Sequence, residues 1–505
     1  MKTLLPARNK LPKQLRSLTA LSRPVTLAIM ALIAGVSVSA QPQQAWVARY
    51  NGGLTNQTHT PLALALDHSG NVYVAGSSQN ASNLYDYVVL KYTPNGTQLF
   101  AARYSSTNGA NHSVNGFALD QNGNAYETGT GGTVKFANNG ALAWTAPYSG
   151  NDVAVDTNGN TYVTGFSTST YATVKLNSIG SNLWLRTHIN INGYTPAISQ
   201  KVAVDNTGNV YVAGYETWAP YGYARPLIIK YDGMGNPVWT NTTEGGESFG
   251  TTKGLIADNQ GNLYVTANDD TYYDTGKKNS SGQDVWGFVY GQPGVAAMVI
   301  DTNGNVYLTG ALYNGVNYGT VCATLKINDT GNLLWERNYV ATSTSYPVNS
   351  GNGIVLDSMG NVYVTGVSTN AGTGTDFATI KYDSNGNQIW VLRYNGPANG
   401  NDGGDAIAVD NNGNVYVTGY SANASGGTDI VTIKYSPLGL QRRADGTVLL
   451  QAQGSPGESF DIQASADLQS WLDLGSVTAD TNGLMQFDDT NAPNYNARFY
   501  YTSPQ

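Results

Sequence analysis

The chain has 505 residues, with 26 Lys plus Arg against 34 Asp plus Glu, 59 Gly, 34 Tyr, one Cys, 12% charged and 41% hydrophobic residues. So little charge excludes a charge-driven disordered chain and a coiled coil, while a formal charge of -8 and a pI near 5.0 argue against a nucleic-acid partner, which requires a basic face. One cysteine excludes an internal disulfide, a Cys-built structural zinc site and paired-Cys redox motifs.

At the N-terminus, Lys2, Arg8, Lys10, Lys13, Arg16 and Arg23 precede the apolar run Val25 to Val38 and the small-residue site Val38-Ser39-Ala40. This pattern predicts a secretory signal over residues 1–40, because the run is shorter than the roughly 20 residues of a spanning helix. Its removal takes away six cations and leaves 20 basic against 34 acidic residues, so the exported chain is distinctly acidic. No lipoprotein cysteine or hydrophobic tail follows, and the expected location is the periplasm or the exterior, with no membrane span in the mature chain.

From there a DxxGNxY pattern recurs eight times, led by Asp67, Asp120, Asp156, Asp205, Asp258, Asp301, Asp357 and Asp410, with an average spacing of 49 residues. That period belongs to propeller blades. The seventh unit reads as four short strands: A ending at Asp357, B in GNVYVTG, C in DFATIKY from Asp376 and D in QIWVLRY from Gln388. Between A and B, Asn and Gly are expected to supply positive φ, and the leading Asp to accept backbone N–H groups as a structural turn. A calcium loop would want several carboxylates where these turns usually offer one.

Strand D carries Trp46, Phe100, Trp144, Trp184, Trp239, Trp286, Trp335 and Trp390, whose regular recurrence predicts packing between sheets rather than a sugar platform. Lys91, Lys135, Lys175, Lys230, Lys326, Lys381 and Lys434 close strand C, and we expect their stems to cover the sheet and their amines to reach water. Cys322 is expected to be a buried, inert thiol. The mature chain opens with a lone D strand, Trp46 to Tyr50, and the last unit lacks one, so a closed ring of eight blades follows, clasped by the N-terminal strand. The fold class is all-β.

Units of the form AVDxxGNVYVTG followed by DxxTIKYxxxGxxxW, over about residues 44–440, resemble the bacterial β-propeller repeats called SBBP repeats. The resemblance implies a secreted bacterial propeller and brings no common catalytic residues. A weaker similarity to quinoprotein tryptophan-docking repeats is read as shared packing. After Gly439 the period stops, and alternating strands over 441–505 predict a small β-sandwich similar to C-terminal modules of secreted bacterial proteins. The domain reading is therefore signal 1–40, propeller 41–440 and module 441–505.

The A–B and C–D turns are short and share one rim; the D–A and B–C connections share the other and vary, which is where function usually rides. The richest stretch is Tyr215 to Pro226 in unit four, with Trp218, Tyr221, Tyr223 and Arg225; unit five adds Asp269, Asp270, Tyr272 and Tyr273, and unit six Tyr313 and Tyr318. Aromatic faces beside such hydrogen-bonding groups suit a polysaccharide or protein ligand. His59, His68, His112 and His188 lack metal-ligand spacing, and no nucleophile elbow, P-loop or dinucleotide fingerprint occurs, so neither metal nor cofactor is expected. The first reading is a non-catalytic binding scaffold. Alternatives are a carbohydrate-active enzyme using paired acids such as Asp269 with Asp270 or Glu244 with Glu247, and a purely structural surface protein.

Overall fold

The structure, a computed structural model, describes residues 42–504 except 55, 106–108, 166–170, 189–196, 219–222, 243–249, 269–272, 291–293, 314–318, 342–346, 371, 444, 454–456, 467–469, 482–483 and 496–497. The expected signal therefore lies outside the described residues. No described helix is long and apolar enough to cross a membrane.

Among the described residues the chain forms eight four-stranded antiparallel sheets, followed by two three-stranded ones. In unit seven, A is Asn349–Leu356, B Val362–Asn370, C Gly374–Tyr382 and D Gln388–Tyr394. Strand D coincides with its sequence bounds; A, B and C run further toward the variable rim, where polar residues such as Asn349, Ser368 and Thr369 continue the pairing. Strand B is buried on both faces, in keeping with continuous β-branched runs such as VYVTG.

Seven sheets take their strands in sequence order. The eighth joins Asp402–Val409, Val415–Ala422 and Thr428–Ser436 to the N-terminal strand Gln43–Tyr50, which pairs antiparallel with Thr428–Ser436. Strand A of each unit packs on strand A of the next, and that of unit eight packs on that of unit one, His59–Leu66. The core is correspondingly divided. Each of eight hydrophobic clusters draws on two neighbouring units; one unites Trp46, Tyr416 and Ile430 of the eighth sheet with Val72, Val74 and Leu90 of the first. A ninth lies between the two three-stranded sheets, with Leu450 and Met485 from one and Phe460 and Ile462 from the other.

The A–B turns keep the structural role expected of them, with one change of geometry. At Asp357 the N–H of Gly360 donates to the Asp357 carbonyl at 3.0 Å and the Asp357 N–H to the Asn361 carbonyl at 3.1 Å, a type I turn followed by a bulge. Only the glycine takes positive φ, +77° at Gly360, whereas the preceding residue stays in the ordinary region. The Asp357 carboxylate accepts from the Met359 and Asn361 backbone amides, the Asn361 side chain and the Tyr363 hydroxyl, at 2.7 to 3.0 Å.

Strand C lysines depart from expectation. All eight, including Lys277 of unit five, place Nζ over the strand-B tyrosine of their own sheet, 4.7 to 5.5 Å from the ring centroid. Lys91, Lys230 and Lys434 are buried. The reason is an acceptor in the next unit: Lys175 Nζ and Trp184 Nε1 both donate to the Gly233 carbonyl, at 3.1 and 3.2 Å, and Lys326 with Trp335 does the same at Ser384. The strand-D aromatics therefore pack as anticipated: seven lie against the C–D turn glycine of a neighbour, and Trp390 packs on the apolar strands of unit eight, which makes no such turn. A Cβ at Gly235 would sit 2.8 Å from the Trp184 ring, so the turn glycine is needed for this approach as well as for its φ of +80°. Cys322 is buried, and burial pushes its thiol up to about 12, which keeps it unreactive.

Candidate functional site

The variable rim divides into two sectors. In units seven, eight and one, the same arrangement recurs: an arginine of strand D meets an aspartate at the start of strand C, as Arg393–Asp376 (3.3 Å), Arg49–Asp429 (3.0 Å) and Arg103–Asp86 (2.8 Å). Asn370, Asn423 and Asn80 each donate to the same aspartate from six residues earlier, at 2.9 to 3.0 Å. The arginines also cross between sheets, Arg49 reaching the Tyr394 hydroxyl at 3.0 Å and Arg103 that of Tyr50 at 3.1 Å. Beneath them lie buried polar pairs at matching positions, His59 with Ser78 at 2.8 Å and Asn349 with Ser368 at 3.0 Å, while Asp402 accepts from the Gly396 and Ala422 amides. Burial, and next the Arg103 charge, hold the His59 pKa below its ordinary value. This sector spends most of its polar groups internally, His59 Nε2 and Arg393 Nε excepted, and these bonds tie the sheets where the two ends of the repeat meet.

Units four to six are built otherwise. Much of the stretch read as a loop in unit four is hairpin: strands Val210–Trp218 and Tyr223–Tyr231 pair Trp218 with Tyr223 and Glu216 with Arg225, in keeping with the β propensity of their aromatic and β-branched residues. Arg225 is committed. Its Nε donates to Glu216 Oε1 at 2.8 Å, and His188 Nε2 lies 3.2 Å from Glu216 Oε2. Burial pushes the Glu216 carboxyl up, but the hydrogen bonds from His188 and Arg225, with the Arg225 charge, outweigh it and leave the pKa below the ordinary value. Arg225 thus holds the base of the hairpin.

In unit five, Asn268 pairs with Tyr273 across the B–C connection, and in unit six Tyr313 ends strand B with a side chain 57% exposed. The side chains of Trp218, Tyr223 and Tyr273 lie outside what is described, as do residues Tyr221, Asp269, Asp270, Tyr272 and Tyr318 entirely. Glu244 and Glu247 do too. Among the described residues no group of three or more His, Cys, Asp or Glu is placed to hold a metal.

Two acids were not anticipated as special, Glu127, which is fully buried, and Asp405, which is half-buried. Glu127 of unit two is fully buried where the other units carry Val74, Val163, Val212, Val265, Leu308, Val364 and Val417. Neither carboxylate oxygen reaches hydrogen-bonding geometry with a described group, and burial raises its pKa well above the ordinary value, only partly opposed by the Gly76 amide. The sequence signal was present in GNAYETG, where a charge interrupts an otherwise apolar strand B. Asp405 is bulged out of strand A of unit eight, five residues before its turn aspartate. At that position other units join neighbours by amides: Asn115 to the Gly150 carbonyl at 3.0 Å, Asn151 to Ser199 at 3.0 Å, Asn352 to Gly404 at 2.8 Å, and Gln200 accepting from the Thr252 N–H at 2.7 Å. At Asp405 no such bond is seen among the described residues, and burial raises its pKa to about 7.

No family model matches this chain, and no curated protein does. Solved structures do. The Dos1 propeller aligns with a TM-score of 0.53 at 11% identity, over 78% of this chain and 95% of that one. The WD40 domain of SCAP from fission yeast aligns with a TM-score of 0.45 at 11% identity, over 77% of this chain and 98% of that one. At this identity the likeness to the Dos1 propeller establishes the fold and nothing more: the repeated four-stranded sheets form a β-propeller.

Proposed function

We propose that this chain is an exported, SBBP-type bacterial propeller of eight blades over residues 41–440, closed by its N-terminal strand and carrying a small β-sandwich module over 441–505. It acts as a non-catalytic scaffold that binds a polysaccharide or protein partner through the variable rim, with units four to six as the recognition sector. The observation that carries this reading is the contrast along that rim. Units seven, eight and one spend their charged groups on one another, while Tyr313 at the end of strand B in unit six stands exposed.

The test is a glycan array and an extracellular-protein pull-down with the full chain, repeated with Trp218→Ala/Tyr221→Ala/Tyr273→Ala. Binding of an identified ligand should drop at least tenfold in the triple variant. Undiminished binding would remove these units from recognition. Reducing ends released from a polysaccharide panel, and abolished by Asp269→Ala, would replace the scaffold reading with an enzyme.

A further inference from the structure

The short-turn rim bears a cleft that owes nothing to the variable rim. Residues Gly439 onward leave the eighth sheet at the position where other units make their C–D turn, and the strands that follow fold back beside the turns of units eight and one. Between them opens a cleft of about 950 Å³, at the upper end of the roughly 300–1,000 Å³ usual for small-ligand sites.

Its charges are all spoken for. Asp410 accepts from the Asn412 and Asn414 amides, the Asn414 side chain and Tyr416, and Asp67 from Ser69 and Asn71 with Lys91 alongside at 3.4 Å. Lys434 is buried and donates to the Pro94 carbonyl. What remains is a set of side-chain amides and one imidazole. His68, Asn95, Asn411, Asn412 and Gln451 line the cleft, and their side chains make no hydrogen bond among the described residues. Its aliphatic surface comes from Leu66 and Val409 of the propeller and Leu484 of the last domain.

We propose that this cleft binds a neutral, hydroxyl-rich carbohydrate segment. Side-chain amides both donate and accept, which matches hydroxyls that do the same. The aliphatic surface suits the C–H faces of sugar rings. A charged peptide or anionic polymer would find no free opposite charge here, and the absence of an exposed aromatic ring among these lining residues makes hydrogen bonding rather than stacking the source of affinity. The site stands independently of the recognition sector on the other rim, because the turns that form it belong to units eight and one.

The experiment titrates the full chain with maltohexaose, cellohexaose and xylohexaose, observed by saturation-transfer NMR and calorimetry. At least one should bind, and Asn411→Ala/Asn412→Ala/Gln451→Ala should weaken it tenfold or more, since these exposed or half-buried side chains bond to nothing else and the variant keeps its melting temperature. Trp218→Ala/Tyr313→Ala should leave that binding unchanged. Silence from all three oligosaccharides, or binding untouched by the cleft variant, overturns the inference. Binding lost only in the Trp218 and Tyr313 variant also overturns it, while supporting recognition at the variable rim.

Discussion

At the short-turn rim every unit places a lysine over a tyrosine and seats that tyrosine above an aspartate-capped turn; at the opposite rim no single arrangement serves all eight. Units seven, eight and one bury Arg–Asp pairs there, unit four uses Arg225 with Glu216 and His188, and unit two has no counterpart among the described residues. The difference follows from what each rim must do. Short turns meet the neighbouring sheet in one geometry, so one residue set solves the contact seven times, and only unit eight, whose chain runs on at Gly439, departs from it. Variable connections have no common neighbour, and each unit satisfies its buried polar groups separately.

The largest expected effect comes from breaking the repeated contact. Trp184→Ala leaves a cavity between units three and four and removes the bond to Gly233, and should cost about 3–5 kcal/mol. Calorimetric melting measures this. Equal losses at Trp184 and Trp335 would support one contact repeated, whereas a negligible loss at either would break the comparison at its repeated side.

Next comes the seam. Arg103→Ala strips Asp86 of its cation and abandons bonds to Ser78 and Tyr50, leaving a buried carboxylate with only Asn80. Removal of one partner of a buried pair typically costs about 3–5 kcal/mol, and the partial exposure of Arg103 places this case at or below the lower end. Arg103→Ala/Asp86→Asn should recover part of the loss in chemical denaturation; no recovery would mean that the pair is not what locks the seam.

Glu127→Val should do the reverse and stabilise, by about 1–3 kcal/mol, the usual cost of an unsatisfied buried polar group. The pH dependence has a definite sign. The folded-state pKa of Glu127 lies above its unfolded value, so the folded protein holds the proton longer, and stability falls as pH rises from about 4.5 toward the folded value. Glu127→Gln should flatten that slope. A slope unchanged in Glu127→Gln would show that its protonation is not linked to folding.

The architecture was legible in the sequence because it rests on repetition: the turn aspartates, the strand-D aromatics and the strand pattern of unit seven recur where the physics recurs. The destination of the lysines was not. Their amines are held by a ring within the same sheet and a carbonyl roughly 50 residues away, and only the packing of adjacent sheets brings that carbonyl into reach. Arg225 was legible as an arginine among aromatics, while its commitment to Glu216 depended on a strand register that period alone does not set. The cleft at Gly439 joins two parts whose relation no local motif encodes.

The smallest effect tests the bulge position lining strand A, where three asparagines and Gln200 join neighbouring units and Asp405 stands in unit eight. An asparagine there would carry the same shape without a proton to lose. Because burial raises the Asp405 pKa from 3.8 to about 7, its stabilising share is fully present below pH 3.8 and is lost as pH rises through 7. Asp405→Asn should therefore gain about 1 kcal/mol at pH 8, the worth of a hydrogen bond, and almost nothing at pH 4. Asp405 is only half-buried, so solvent screening keeps the gain below that of Glu127→Val. Melting temperatures of both proteins measured across this range decide the matter: a difference that opens above pH 5 gives Asp405 the part of a protonated, amide-like group at this position of unit eight, and parallel curves would confine the amide junctions to the units whose bonds are seen.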